Sequence, residues 1–244
     1  MTRLDQALVE RGLCDSRERA KRAVLAGQVR VNGHPANKAS DAVKPADDVT
    51  LTAAEKYVSR GGHKLEHALN HFALDVAGLT VLDLGASTGG FTDCLLQRGA
   101  AQVFGVDVGQ GQLAWKLRRD PRVVVMEKTN ARHLKPEQFP VPADLAVIDC
   151  SFISLKKILP PAIPLIQPGG RIVALIKPQF EAGKEEADKG RGVITDGAIH
   201  SRVLAELQEF VTAQAGLSWR GVVESPLLGP AGNKEFLALI EKVS

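Results

Sequence analysis

Apolar and polar positions along the chain change rhythm twice. Near the N-terminus Leu4, Ala7 and Leu8 recur at helical spacing behind Thr2, a candidate cap, and Gly12 closes the stretch. Asp15 with Glu18 three residues on reads as a capping box for a second helix running to Gly27. Its inward stripe is Ala20, Ala23 and Val24, which leaves Arg17, Lys21 and Arg22 outside. Residues 28–35 read as a strand ending in an Asn32-Gly33 turn, and Val43, Val49 and Leu51 continue as short strands. Residues 1–54 are therefore expected to form a small α+β unit, and 55–64, with Gly61-Gly62, a junction or hinge. A helix follows whose core side is Leu65, Ala68, Leu69 and Phe72.

From Thr80 the pattern alternates between strand and helix. It predicts strands near 80–84, 102–107, 122–126, 144–149 and 171–177, and helices near 90–98, 111–118, 154–166 and 198–215. Two more strands, 218–224 and 235–240, follow without a helix between them. The expectation is an α/β fold, a doubly wound parallel sheet closed by an antiparallel pair. Pro160, Pro161 and Pro164 must open or break the helix they fall in. The polar stretch 179–197 is expected outside the core, as a lid or loop.

Composition adds exclusions. A chain of 244 residues, 44% hydrophobic and 24% charged, is long enough for one large core plus a small module. No apolar run approaches the roughly 18 residues of a membrane span, and the N-terminus lacks the apolar core of a signal peptide. Cys14, Cys94 and Cys150 are odd in number and lack C-x-x-C spacing, which argues against a disulfide frame and a zinc site and points to a reducing cytoplasm. His63, His67 and His71 recur every four residues, but no carboxylate motif joins them, so a helix face is expected there rather than a metal site. The net charge of +3 decides little, yet its distribution does. Arg3, Arg11, Arg17, Arg19, Lys21, Arg22, Arg30 and Lys38 crowd the first unit, as suits a polyanionic partner.

The stretch Val81-Leu82-Asp83-Leu84-Gly85-Ala86-Ser87-Thr88-Gly89-Gly90-Phe91 carries the chemistry. A strand feeding a glycine turn that opens a helix presents bare N–H groups at a sheet edge. Three readings compete. A dinucleotide fingerprint needs glycine where Ser87 stands. Gly85-Ala86-Ser87-Thr88-Gly89 also matches a hydrolase nucleophile elbow, with Asp196 and His200 downstream, but it follows the first strand of its domain. The third reading is a class I methyltransferase loop for S-adenosyl-L-methionine, with Asp107 at the tip of the next strand to grip ribose hydroxyls. Asp149 and Lys177 end the fourth and fifth strands, so both should face the crevice of Gly85 and Asp107. Lys64 precedes the first strand and Glu235 opens the last. A lysine at a strand tip can act as base or hydrogen-bond orienter, with carboxylates setting its position.

Five motifs in order closely resemble the TlyA family over essentially the whole chain. They are Ser59-Arg60-Gly61-Gly62-His63-Lys64-Leu65, the loop 85–91, Asp149-Cys150-Ser151-Phe152-Ile153-Ser154, Ile176-Lys177-Pro178-Gln179-Phe180-Glu181 and Gly232-Asn233-Lys234-Glu235-Phe236. The resemblance implies an S4-like RNA-binding domain at 1–54, a linker at 55–64, and an FtsJ-like methyltransferase domain at 65–244 with a Rossmann-like seven-stranded sheet. It implies 2′-O-methylation of cytidine in ribosomal RNA, within a ribosomal subunit, using S-adenosyl-L-methionine. Lys64, Asp149, Lys177 and Glu235 would be the Lys-Asp-Lys-Glu tetrad, with Lys177 acting on the 2′-hydroxyl. Loop, strand tips and resemblance together assign the cofactor to Asp83, Gly85, Ser87, Gly89, Gly90, Phe91, Asp107, Val108 and Asn130. RNA would meet Arg3, Arg17, Lys21, Arg22 and Arg60, mostly through phosphates.

Rivals differ in what they need. A carbon-5 pyrimidine methyltransferase would use Cys150 as nucleophile, but Cys150 should point away from Asp149 in a strand and lacks a preceding Pro. A base-amine methyltransferase would want an Asp-Pro-Pro-Tyr-like run at 149–152. A pore-forming haemolysin, the activity behind the family's other label, would want an amphipathic or apolar span. An RNA-binding protein without catalysis would keep its RNA affinity and any biological role in Lys177→Ala.

Overall fold

A computed structural model of the protein describes residues 1–25, 27–52 and 56–243. They form two compact units that divide between Lys56 and Tyr57. The boundary expected after residue 54 falls outside the described residues.

The first unit runs β1 (Thr2–Arg3), α1 (Leu4–Glu10), α2 (Arg17–Leu25), β2 (Val29–Val31), β3 (His34–Pro35), β4 (Ala42–Val43) and β5 (Val49–Leu51). β1 pairs with β4, and β2 lies between β3 and β5, all antiparallel. Leu4, Leu8, Ala20, Val24 and Val29 are fully or almost fully buried in one apolar cluster. Asn32 (φ 52°) and Gly33 (φ 80°) supply the left-handed pair that a two-residue hairpin turn needs. Both expected helix caps shift by one residue. Thr2 belongs to β1, and Arg3 stands at the cap of α1 without a capping side chain. α2 begins at Arg17, so Ser16 rather than Asp15 accepts the Arg19 N–H, at 3.2 Å. Asp15 instead pairs with the Arg19 guanidinium at 3.1 Å.

The second unit opens with α3 (Gly61–His71), so Gly61 and Gly62 are the first turn of a helix, not a hinge. A Cβ on Gly62 would collide with the Tyr57 ring, which explains the glycine. β6 (Thr80–Leu84), α4 (Gly90–Gln97), β7 (Gln102–Val106), α5 (Trp115–Arg118), β8 (Val123–Met126) and β9 (Ala143–Ile148) follow. Then come α6 (Leu159–Ala162), β10 (Ile166–Ile176), α7 (Pro178–Glu181), α8 (Lys184–Lys189), α9 (Gly197–Thr212), β11 (Leu217–Glu224) and β12 (Phe236–Lys242). The sheet has seven strands in the order β11-β12-β10-β9-β6-β7-β8. β12 runs antiparallel between β10 and β11, and the remaining pairs are parallel. The chain winds outward from β6 to β8 and returns to β9 on the other side. The switch point, where α/β folds bind ligands, therefore lies between the carboxyl ends of β6 and β9.

Strand alternation divides the core into two faces. Leu82, Leu84, Phe104, Val106, Ile148 and Ile172 pack with Leu159, Val203 and Leu207 on one side. Val81, Val103, Leu145, Val147, Val173 and Leu237 pack with Leu65, Leu69, Phe91 and Leu95 on the other. Three expected elements differ. The helix at 111–118 shrinks to Trp115–Arg118, because the Gly111 N–H goes to the Glu127 carboxylate and the Ala114 N–H to Thr88 O. The helix at 154–166 breaks into two 3-10 turns around α6, as three prolines dictate. The polar stretch 179–197 contains α8 and borders α7 and α9, so it is structured rather than a long loop.

Leu82→Ala, in the middle of the interior strand β6, should lower unfolding stability by about 2–5 kcal/mol in chemical denaturation. Val141→Ala, at a half-exposed loop position, should stay within about 0.5 kcal/mol.

Candidate active site

The turn after β6 is built by close approaches. Gly85 has φ 91°, and a Cβ there would sit 2.6 Å from the Asp149 carbonyl oxygen. Gly89 has φ 95°, and a Cβ there would overlap Leu117 and come within 2.8 Å of Leu113. Between them Ser87 takes φ 49°, and its N–H donates to Asp107 Oδ2 at 2.9 Å. Gly109 N–H donates to Asp107 Oδ1 at 2.7 Å, so backbone groups from two loops fix this carboxylate.

Two cavities meet at this turn. The larger, about 900 Å³, is lined by Gly85, Ser87, Asp107, Val108, Asn130 and Asp149, and extends past Phe152 to Phe180. The smaller, about 200 Å³, is lined by Arg60, Gly61, Lys64, Gly90, Phe91 and Pro230. Gly85, Ser87 and Asp149 belong to both walls.

Two lysine–acid pairs stand at the junction. Lys177 Nζ lies 2.6 Å from Asp149 Oδ1 and donates to Ser151 Oγ at 2.8 Å. Lys64 pairs with Glu235, and both are almost wholly buried. Lys64 and Asp149 line the same small cavity, so the two pairs face one space. Backbone contacts hold each acid. Asp149 N–H donates to Leu84 O at 2.9 Å. Ser225 N–H donates to Glu235 O at 2.8 Å, and a Cβ on Gly229 would press on the Glu235 carboxylate, 2.5 Å from Oε1. Asn233, buried two residues before Glu235, accepts the Ile194 N–H and donates to Gly192 O, each at 2.8 Å. The segment after α8 is thereby fastened to the approach to β12.

Comparison with known proteins agrees with this geometry. The FtsJ-like methyltransferase model matches residues 57–242 and the S4 domain model residues 2–49. The chain belongs to the FtsJ-like methyltransferase family. It is 51% identical over 239 residues to the 16S/23S rRNA (cytidine-2′-O)-methyltransferase TlyA of Mycobacterium tuberculosis, covering 96% of this chain and 87% of that protein. It is 40% identical to Hemolysin A of Brachyspira hyodysenteriae, covering 97% and 98% of the two chains. A solved structure from Streptococcus thermophilus, named as a hemolysin, superposes with a TM-score of 0.76 at 45% identity, covering 100% of this chain and 89% of that one.

Within this FtsJ-like domain the expected cofactor residues separate by position. Gly85, Ser87, Asp107, Val108 and Asn130 line the large cavity, while Gly90 and Phe91 line the small one. Gly89 and Asp83 line neither. Gly89 makes room for leucines, and Asp83 is fully buried. Asp83 Oδ2 accepts from Thr92 Oγ1 at 2.6 Å, whereas Oδ1 has no partner among the described residues. Burial pushes this carboxyl up to about 7, against the pull of the Thr92 bond and with added repulsion from Asp149. Arg60, expected on RNA, lies on the small cavity wall. In the S4 unit Lys21 and Arg22 are exposed on α2. Arg3 and Arg17, each about half exposed, converge at 3.1 Å on the buried Asp5 carboxylate.

Cys150 corrects one expectation. β9 ends at Ile148, so strand alternation no longer applies, and Cys150 lines the large cavity alongside Asp149. What removes it as a nucleophile is electrostatic. Burial, then the Asp149 charge, pushes its thiol up to about 12. Sequence reasoning also passed over Ser151 and Phe152 as site residues. Phe152 is 89% exposed at φ 62°, with its ring 5.0 Å from that of Phe180. An aromatic three residues beyond a strand-tip acid was the signal that could have found it.

Asp83 carries a pH dependence. A carboxyl near 3.8 when unfolded and near 7 when folded binds more protons in the folded state. Its contribution is therefore complete below about pH 4 and lost as pH rises through about 7. Denaturation at pH 5 and pH 8 should show Asp83→Asn losing less stability over that interval than the wild type.

Proposed function

We propose that the protein transfers the methyl group of S-adenosyl-L-methionine to the ribose 2′-hydroxyl of a cytidine in ribosomal RNA. The observation that carries this reading is the meeting of two lysine–acid pairs at the glycine turn where the two cavities join. The residues present fit the cofactor. Gly85 and Ser87 form the wall that both cavities share, and Asp107 offers ribose hydroxyls a carboxylate already held by two N–H groups. Val108 and Asn130 would flank the nucleoside, and Arg60, Gly90 and Phe91 the amino-acid end. The cofactor, when bound, supplies an electrophilic methyl group on a sulfonium.

The chain's own residues would do the rest. Lys177 would orient the 2′-hydroxyl and, as the free amine, take its proton while the oxygen–carbon bond forms and the carbon–sulfur bond breaks. The resulting ammonium is stabilised by Asp149 at 2.6 Å. Lys64 and Glu235 would bound the other side of the same space and exclude water from it. In the S4 unit, Arg3, Arg17, Lys21 and Arg22 would contact RNA phosphates. The substrate would be RNA in a ribosomal subunit, and the site of action the cytoplasm. Among the described residues no helix is long and apolar enough to cross a membrane, so the lytic name of the Brachyspira relative gains no support from a helical span.

Incubation with radiolabelled cofactor and unmodified ribosomal subunits, followed by mapping of the labelled nucleotide, tests the reading. Label on a cytidine ribose is expected; label on a base, or on no RNA, would overturn it. Lys177→Ala should abolish transfer while cofactor binding, measured by calorimetry, stays within a few-fold. Asp107→Ala should instead weaken cofactor binding first. Replacing Arg17, Lys21 and Arg22 together by Ala should weaken RNA binding and flatten its salt dependence, by about 0.7–0.9 in slope for each phosphate no longer neutralised.

A further inference from the structure

The segment that follows β9 carries more than Asp149. Its start is fixed by the Asp149 N–H on Leu84 O at 2.9 Å. Its end is fixed by Glu181, whose carboxylate accepts from Ser154 Oγ at 2.6 Å and from Leu155 N–H at 2.7 Å. Between these anchors Phe152 holds φ 62°, a conformation an aromatic residue keeps only when its flanks leave no alternative. Ser151 therefore occupies a fixed position, with its side chain on the wall of the large cavity.

Lys177 Nζ is mostly buried, with the side chain 9% exposed. A lysine nitrogen has three positions beyond its own carbon. Asp149 Oδ1 at 2.6 Å takes one and Ser151 Oγ at 2.8 Å takes another. The Asp149 contact alone would leave two positions of the nitrogen open. The second contact, from the adjacent stretch of chain, fills one of them and leaves a single position. The charged groups around this corner are Asp149 itself, Lys64 with Glu235 and Arg60 at the small cavity, Asp107, Arg132 and Lys157 on the walls of the large one, and the buried Asp83 behind the glycine turn. None of them supplies a second hydrogen bond to the Lys177 nitrogen.

We propose that Ser151 is a positioning residue for methyl transfer, its hydroxyl and Asp149 together aiming the remaining position of Lys177 Nζ at the reacting hydroxyl. This inference rests on the assignment of Lys177 to the 2′-hydroxyl. Accepting a hydrogen bond from the ammonium also favours the charged form. Removal of Ser151 Oγ should therefore lower the rate and displace the pH–rate profile in a defined direction.

The test is single-turnover methyl transfer from radiolabelled cofactor to ribosomal subunits, with Lys177→Ala as control. Ser151→Ala should lower the maximal rate roughly 10-fold, as removal of one charge-assisted hydrogen bond would. Its KM for the cofactor should not change, and the rising limb of its pH–rate profile should move to lower pH. Ser151→Thr, which keeps the hydroxyl, should retain the rate within about 3-fold and leave the profile in place. Ser151 is exposed, so the unfolding midpoint of both variants should match the wild type. A wild-type rate and profile in Ser151→Ala, or a loss confined to KM, overturns the positioning role while an inactive Lys177→Ala keeps the underlying assignment. An active Lys177→Ala overturns both.

Discussion

The architecture depends on one close backbone approach. The carboxyl ends of β6 and β9 come so near that Gly85 can carry no side chain, with a Cβ reaching 2.6 Å from the Asp149 carbonyl. That proximity follows from the sheet order, which makes β6 and β9 parallel neighbours at the switch point. A glycine turn after one strand and an acid after the other are thereby brought to a shared wall. β10, on the outer side of β9, then delivers Lys177 to the same place. Sheet topology does the gathering; side-chain chemistry completes it.

The electrostatics run against stability. Lys64 with Glu235, and Lys177 with Asp149, keep charges largely away from water, and such pairs seldom exceed the stabilisation that packed apolar groups would give. Asp83 adds a fully buried carboxyl with one unpartnered oxygen among the described residues, a few positions before the glycine turn ends. A crevice that concentrates so much desolvated charge is arranged for chemistry rather than for folding. The apolar faces above and below the sheet hold this crevice open, since the strands end in charges while their middles carry Leu, Val and Ile.

Much of this was legible from the chain because strand ends are legible. Runs such as 144–149 and 171–177 have an apolar middle and a charged terminus, so Asp149 and Lys177 could be placed at strand tips from the pattern alone. The FtsJ-like family followed from motifs at those tips. Pairing was less accessible. Lys64 and Glu235 lie 171 positions apart, and only the insertion of β12 beside β10 joins them. The helix expected at 111–118 was shortened by a tertiary effect, the capture of the Gly111 and Ala114 N–H groups by Glu127 and Thr88. Cys150 escaped strand alternation because β9 stops two residues earlier. Ser151 and Asn233 gave no periodic signal, since a short polar side chain acquires its role only from what the fold sets opposite it.

Asn233 has one more consequence. Its amide ties residues 192 and 194 to the chain just before Glu235 through two bonds of 2.8 Å. The polar segment between α7 and α9 is therefore no independent flap. Displacing it would strip both bonds from a buried amide or drag the β12 entrance along with it. A shift at one end of this tether is thus felt by the carboxylate two residues from the other.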